Sequence, residues 1–333
     1  MKMAVANLLA QLALLLTSFT LAQGPGLTLE SALAKAVEQA PVVAAKAELD
    51  DAKANLGRVL SDPLLTRPTR VQAEQRAALA QASYERSLAQ AQSSIVASYT
   101  QVLEAQLQVR LAQKALEVAA RGLEIAQIRQ RNGSGTALDV RNAQNRLDDA
   151  KSNASRAENG LALAQSSLRS LVGAFNAITP LPSPPALPEA SVLQGLLAKN
   201  PDVLQARQRA ELAQLQVELL DPSYAARVDI DAARSRAEQA VAGAKEIERG
   251  LALQYDSLYQ NLQAAARSLA VQQAALANAR EALANDKKRL EAGLISQVTY
   301  LQTELSYTQA ELAAQQALGN YFRAYYSLLA GGR

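Results

Sequence analysis

The 333-residue sequence has no cysteine, histidine or tryptophan, and phenylalanine occurs three times. Without thiolate or imidazole it can build no Cys–His or Ser–His–Asp nucleophile, no histidine base and no ordinary zinc site. No catalytic group, metal or cofactor is expected, so the chain does not read as an enzyme. Bulky side chains are also scarce: aromatics make up 4% of residues although 49% are hydrophobic, much of that alanine. Too few large groups remain to fill a wide globular interior. Ala, Leu, Gln, Arg and Glu instead favour long helices packed at close range. A large excess of one charge sign is missing as well, since 34 Lys and Arg face 31 Asp and Glu and alternate along the chain. That pattern argues against a nucleic-acid partner, which needs a basic face.

The first residues read as an export signal. Lys2 precedes an apolar run through Leu8, Leu9, Leu12, Leu14 and Leu16, and Thr20, Leu21 and Ala22 form a small-residue cleavage site. Residues 1–22 are therefore set apart as a signal peptide. No cysteine follows to carry a lipid, and no later segment offers the roughly 20 uninterrupted apolar residues of a membrane helix.

Sliding the sequence by 160 positions brings its punctuation into register. Ala40, Pro41 and Val42 fall on Asn200, Pro201 and Asp202; Gly133 and Thr136 fall on Gly293 and Ser296; Asp62 and Pro63 match Asp221 and Pro222 within one residue. The organisation is a first repeat over 23–173, a Pro-rich linker over 174–188 and a second repeat over 189–333. Each copy keeps a heptad row. Leu88, Ile95, Val102, Val109, Leu116 and Leu123 run beside Ala91, Ser98, Ala105, Ala112, Ala119 and Ala126, and Tyr255, Leu262, Leu269, Leu276 and Leu283 repeat the phase. Alternating large and small residues at this period predict a left-handed antiparallel coiled coil. Such rows are scaffold packing rather than sites.

In the first copy, caps and breakers predict helices over 29 to about 39, about 42–60, a long helix ending near 131, and 137 to about 171. The fold class is all-α, two tandem copies of a long coiled-coil hairpin. A second apolar stripe on the long helix, through Leu103, Leu107, Leu111, Val118 and Ile125, needs another helix, most economically one from a neighbouring chain.

The opening Leu27, Thr28, Leu29, Glu30, Ser31, Ala32 and Leu33, the Ala40–Pro41 pair, the duplication and above all Gly293, Leu294, Ile295 and Ser296 at a hairpin tip resemble the TolC-type outer-membrane efflux proteins. The resemblance covers nearly all of the chain after its signal. It implies a homotrimer whose twelve helices form a hollow periplasmic tube, docked by its tips to a membrane-fusion adaptor of an inner-membrane pump. By matched position, Gly133, Thr136, Gly293, Leu294, Ile295 and Ser296 would face the adaptor. Capping and turn geometry alone explain these residues equally well.

Two departures qualify the resemblance. Family members insert a β-hairpin between the second and third helices of each copy to build a membrane barrel, but residues 61–68 and 221–226 are shorter than the roughly 9–11 residues of one membrane strand. The barrel strands are expected to be absent and any outer-membrane association indirect. At the second tip Thr299 and Gln302 stand where relatives carry a ring of acids, while the first copy keeps Asp139, a possible tunnel ring that also suits a helix first turn. The expected function is a protomer of an exported efflux conduit, with a lumenless envelope spacer or tether as the competing reading.

Overall fold

The computed structural model describes residues 26–221 and 223–331; the expected signal peptide, 1–22, lies outside the described residues. Helix α1 (Leu29–Ala34) begins at a reciprocal cap in which Thr28 Oγ1 accepts the Ser31 N–H at 3.1 Å and Ser31 Oγ accepts the Thr28 N–H at 3.0 Å. The sequence expectation carries this helix to about residue 39. It tightens instead into a 3₁₀ turn over Lys35–Glu38, the usual way a helix end satisfies its last carbonyls before the chain turns. Helix α2 (Ala40–Leu60) then starts with Pro41 in its first turn, where a missing N–H costs nothing.

Helix α3 (Arg67–Arg131) and its counterpart α7 (Arg227–Glu291) are each 65 residues long, about 98 Å at 1.5 Å per residue. Helix α4 (Ala137–Val172) returns along α3, and α8 (Gln297–Leu329) returns along α7. Short α5 (Ala190–Lys199) and α6 (Pro201–Leu219) open the second copy. Within each copy the shorter helices lie along the long one, α2 and α4 on α3, α6 and α8 on α7. The Gln39 side-chain amide donates to Leu171 O where α2 and α4 meet.

The copies join through α3, which also packs against α8 and α6. This corrects one expectation in part: the helix that packs on this side of α3 comes from the same chain, and the waist end of the stripe, at Leu103, is buried by it. Leu103 is buried with Phe322 of α8 in one cluster, and Lys114 of α3 pairs with Glu304 of α8 at 3.0 Å. Gly319 allows the approach, since a Cβ there would stand 3.3 Å from Thr100 Cβ. Helix order across the wall is therefore α4, α3, α8, α7 toward one end and α2, α3, α6, α7 toward the other.

Bulky burial is concentrated at the waist. Ile95, Val96, Tyr99 and Val102 of α3 meet Leu168 of α4 and Phe322 of α8, while Tyr255, Leu262 and Leu269 of α7 meet Tyr321 and Leu328. No residue of α3 beyond Ala105 is buried. The linker straps this waist: Leu27 and Ile178 form a parallel bridge, Tyr99 Oη lies 2.9 Å from Leu27 O and 2.7 Å from Thr179 O, and the Tyr321 hydroxyl donates to Pro185 O. Apart from that bridge the described residues contain no strand; residues 61–66 between α2 and α3 are a tight turn. No described helix is long and apolar enough to cross a membrane.

Candidate functional site

The sequence-predicted site residues fall on the two tight turns at one end of the wall, where α3 hands over to α4 and α7 to α8. At the first, the Gly133 φ of +74° reverses the chain, and its N–H donates to Gln130 O at 3.1 Å. Thr136 then caps α4. Its Oγ1 accepts the Asp139 N–H at 3.1 Å, and Asp139 Oδ2 accepts the Thr136 N–H at 2.8 Å. Those donations, from the backbone and then the hydroxyl of Thr136, hold the Asp139 carboxyl below its ordinary value, with Arg129 adding a smaller pull. Asp139 borders a groove of about 310 Å³ between α3 and α4 together with Arg129, Asn142 and Arg146.

The second tip repeats the backbone and changes the chemistry. Gly293 has φ +69°, Leu294 N–H donates to Arg289 O at 2.8 Å, and Ser296 Oγ accepts the Thr299 N–H at 3.1 Å. Leu294 stands out of the turn at 72% exposure, Ile295 is half-buried, and Thr299 replaces the acid of the first tip. Among the described residues no hydrogen bond or ion pair joins the two tips.

Sequence reasoning missed a clasp just behind the second tip. Asp286 Oδ2 accepts the Thr303 hydroxyl at 2.7 Å across the α7–α8 seam, and Arg289 reaches Asp286 Oδ1 at 2.9 Å. The hydroxyl first, and Arg289 after it, depress the Asp286 carboxyl. The positions 160 earlier are Ala126 and Ala143, so a small apolar contact in one copy is a polar lock in the other. Departure from the repeat at paired positions was the available signal.

The tips offer glycine reversals, capped helix starts and an exposed leucine each, Leu138 at the first and Leu294 at the second. Residues 66–174 match the family model described as outer membrane efflux protein. Comparison with curated protein sequences finds no match. Solved structures similar in fold include the outer membrane protein VceC of Vibrio cholerae, with a TM-score of 0.60 and 18% identity over 91% of this chain and 96% of that one. A membrane protein from Pseudomonas aeruginosa gives a TM-score of 0.62 at 15% identity over 91% and 93%. The MtrE outer membrane channel of Neisseria gonorrhoeae, in its open state, gives 0.60 at 13% over 91% and 89%. The first long hairpin thus matches outer membrane efflux proteins, and the described chain carries the TolC-type helical fold without barrel strands.

Proposed function

We propose that the chain is the protomer of an exported, periplasmic helical conduit, a barrel-less relative of outer-membrane efflux channels. The observation that carries this reading is the state of the two outermost helices. On α7, Val228, Leu253 and Val271 are 72%, 66% and 63% exposed and fall within about 20° of one line along the helix. On α4, Leu138 and Leu163 are 59% and 68% exposed and share a face in the same way. Exposed apolar residues on both edges suit closure of like copies into a ring, α7 of one against the outer helices α4 and α2 of the next.

Three copies would place twelve helices around a lumen. The tips with Gly133, Thr136, Gly293, Leu294, Ile295 and Ser296 would then meet a membrane-fusion adaptor of an inner-membrane pump, and Asp139 would recur around the tube mouth. Negative-stain imaging of the purified protein, with sedimentation, tests the conduit: a hollow tube on the order of 100 Å long is expected. Solid rods or persistent monomers would favour the tether and overturn the conduit. Leu294→Glu is expected to abolish cross-linking to an adaptor while leaving the tube intact.

A further inference from the structure

The two faces of the helical wall differ in chemistry. One carries α1 and the Pro-rich strap: Tyr99 Oη lies 2.9 Å from Leu27 O, and Leu103, Gln106, Arg110, Glu311 and Pro180 line one groove of about 450 Å³. The other is marked by the groove at the first tip, where Gly122, Arg129, Asp139 and Arg146 stand together. Steps of seven residues keep side chains on one face of a coiled-coil helix. Gly122 and Arg129 therefore carry the strap-free face up α3 through Ala115, Gln108, Gln101 and Ser94, and Arg146 carries it up α4 through Asn153, Gly160 and Ser167. The positions 160 later, Asn261, Ser268 and Ala275 on α7 and Ser306, Ala313 and Asn320 on α8, continue it across the second copy. These are hydroxyls, neutral amides and small residues. Beside them Glu104 and Arg323 close on each other at 2.9 Å within the α3–α8 seam.

Along these rows charge appears only toward the tips, and the two tips differ. At the first, Arg129 and Arg146 face a single carboxylate, Asp139, which already accepts the backbone N–H and the hydroxyl of Thr136 at 2.8 Å each. At the second, Arg289 is held by Asp286 at 2.9 Å, and Thr299 and Ser306 stand where the first copy has Asp139 and Arg146. The unmatched positive charge is thus confined to the first tip. Ring geometry decides which face is inside. Twelve helices about 10 Å apart close into a ring roughly 19 Å in radius, and a layer of strap and helix about 10 Å thick on its inner side would fill most of the bore. The strap belongs outside, which leaves the neutral face within.

We propose that the conduit has an uncharged bore lined by the strap-free face, and that Arg129 and Arg146 give its tip mouth a preference for anionic solutes, as basic rings do in anion pores. This rests on the ring proposed above. Because the sequence has no cysteine, a single introduced thiol reports its own surroundings. Gln106→Cys on the strap face and Gln108→Cys and Asn142→Cys on the other are each prepared as the assembled full chain. After labelling with biotin-maleimide, the Gln106→Cys tube is expected to capture streptavidin, which is too broad for the bore, and the Gln108→Cys tube to capture it only once dissociated. Reaction rates with small anionic (sulfonatoethyl) and cationic (trimethylammonioethyl) methanethiosulfonates then read the local potential. At low salt the anionic-to-cationic ratio for Asn142→Cys should exceed that for Gln108→Cys by about threefold or more. It should fall in high salt or with Arg129→Gln and Arg146→Gln, and rise with Asp139→Asn, with sedimentation unchanged throughout. A shielded thiol at position 106 in an intact tube overturns the lining. Equal ratios at the two positions, or a ratio that persists without both arginines, overturn the anionic mouth. Monomers in which both biotins capture streptavidin would overturn the conduit itself.

Discussion

At the scale of single residues the waist depends on hydroxyls that must keep their protons. Burial pushes Tyr99 above its ordinary pKa of 10.0, and it raises Tyr321 and Tyr326 in the same direction. In the unfolded chain these tyrosines ionise first. Their contribution is therefore complete below the ordinary value and is lost as pH climbs through the raised one. Urea midpoints are expected to hold steady to about pH 9 and fall above about pH 10. Tyr99→Phe should lower stability by about 1–2 kcal/mol at neutral pH, by unstrapping Leu27 and Thr179, and should flatten the alkaline slope. An unchanged slope would remove Tyr99 from this role. Asp286 behaves oppositely. Its carboxyl is depressed, so the clasp to Thr303 persists through the ordinary carboxylate range and is released as pH falls through the lowered value. Hydrogen exchange in the α7–α8 arm should accelerate in acid, and Asp286→Ala should make that arm exchange like the α3–α4 arm at every pH.

At the scale of elements, the helices were legible and their neighbours were not. Caps at Thr136 and Ser296, the breakers at Pro41 and Pro63 and the glycine reversals at Gly133 and Gly293 are local signals, so element limits follow from short stretches of sequence. The heptad rows gave each hairpin its seam for the same reason. The α3–α8 seam pairs residues about 200 positions apart, such as Lys114 with Glu304 and Glu104 with Arg323, and leaves only an apolar stripe to show that some helix belongs there. A stripe does not say which helix covers it. Likewise Thr136 and Asp139 were legible as a cap, while the Asp286 clasp lay hidden in a row read as packing. The hydrogen bond to Glu304 raises Lys114 above its ordinary value, so the ammonium keeps its proton throughout the physiological range. Reversing Lys114→Glu alone should destabilise the seam, and adding Glu304→Lys should recover most of the loss, with a coupling of about 1 kcal/mol. Absence of coupling would show that apolar contacts alone set the register. Because bulky burial ends on α3 at Ala105, amide exchange should be slowest around Tyr99 and Leu262 and quicken toward residues 125–140 and 285–300.

At the scale of the whole molecule, the design is a wall with its core at mid-height, two thin arms below and two apolar turns above. Such a wall leaves its edge helices half-solvated, and in the proposed ring closure would rest on the large apolar residues that α7 and α4 expose. Placing a charge on the α7 line tests this without touching the fold, because Leu253 is two-thirds exposed and outside the core clusters. Leu253→Glu in the protomer should keep its helix content and thermal midpoint within about 0.5 kcal/mol of the parent. In an assembled ring the same side chain would be forced against the outer helices of the neighbouring copy, near the α2–α4 junction, where an unpaired carboxylate costs several kcal/mol at each copy of the interface. Sedimentation should then shift from a closed oligomer to a monomer, and Leu163→Glu on the opposite edge should do the same. If both single variants remained assembled, the edges would lie on the outer surface, and the ring would have to close through another face.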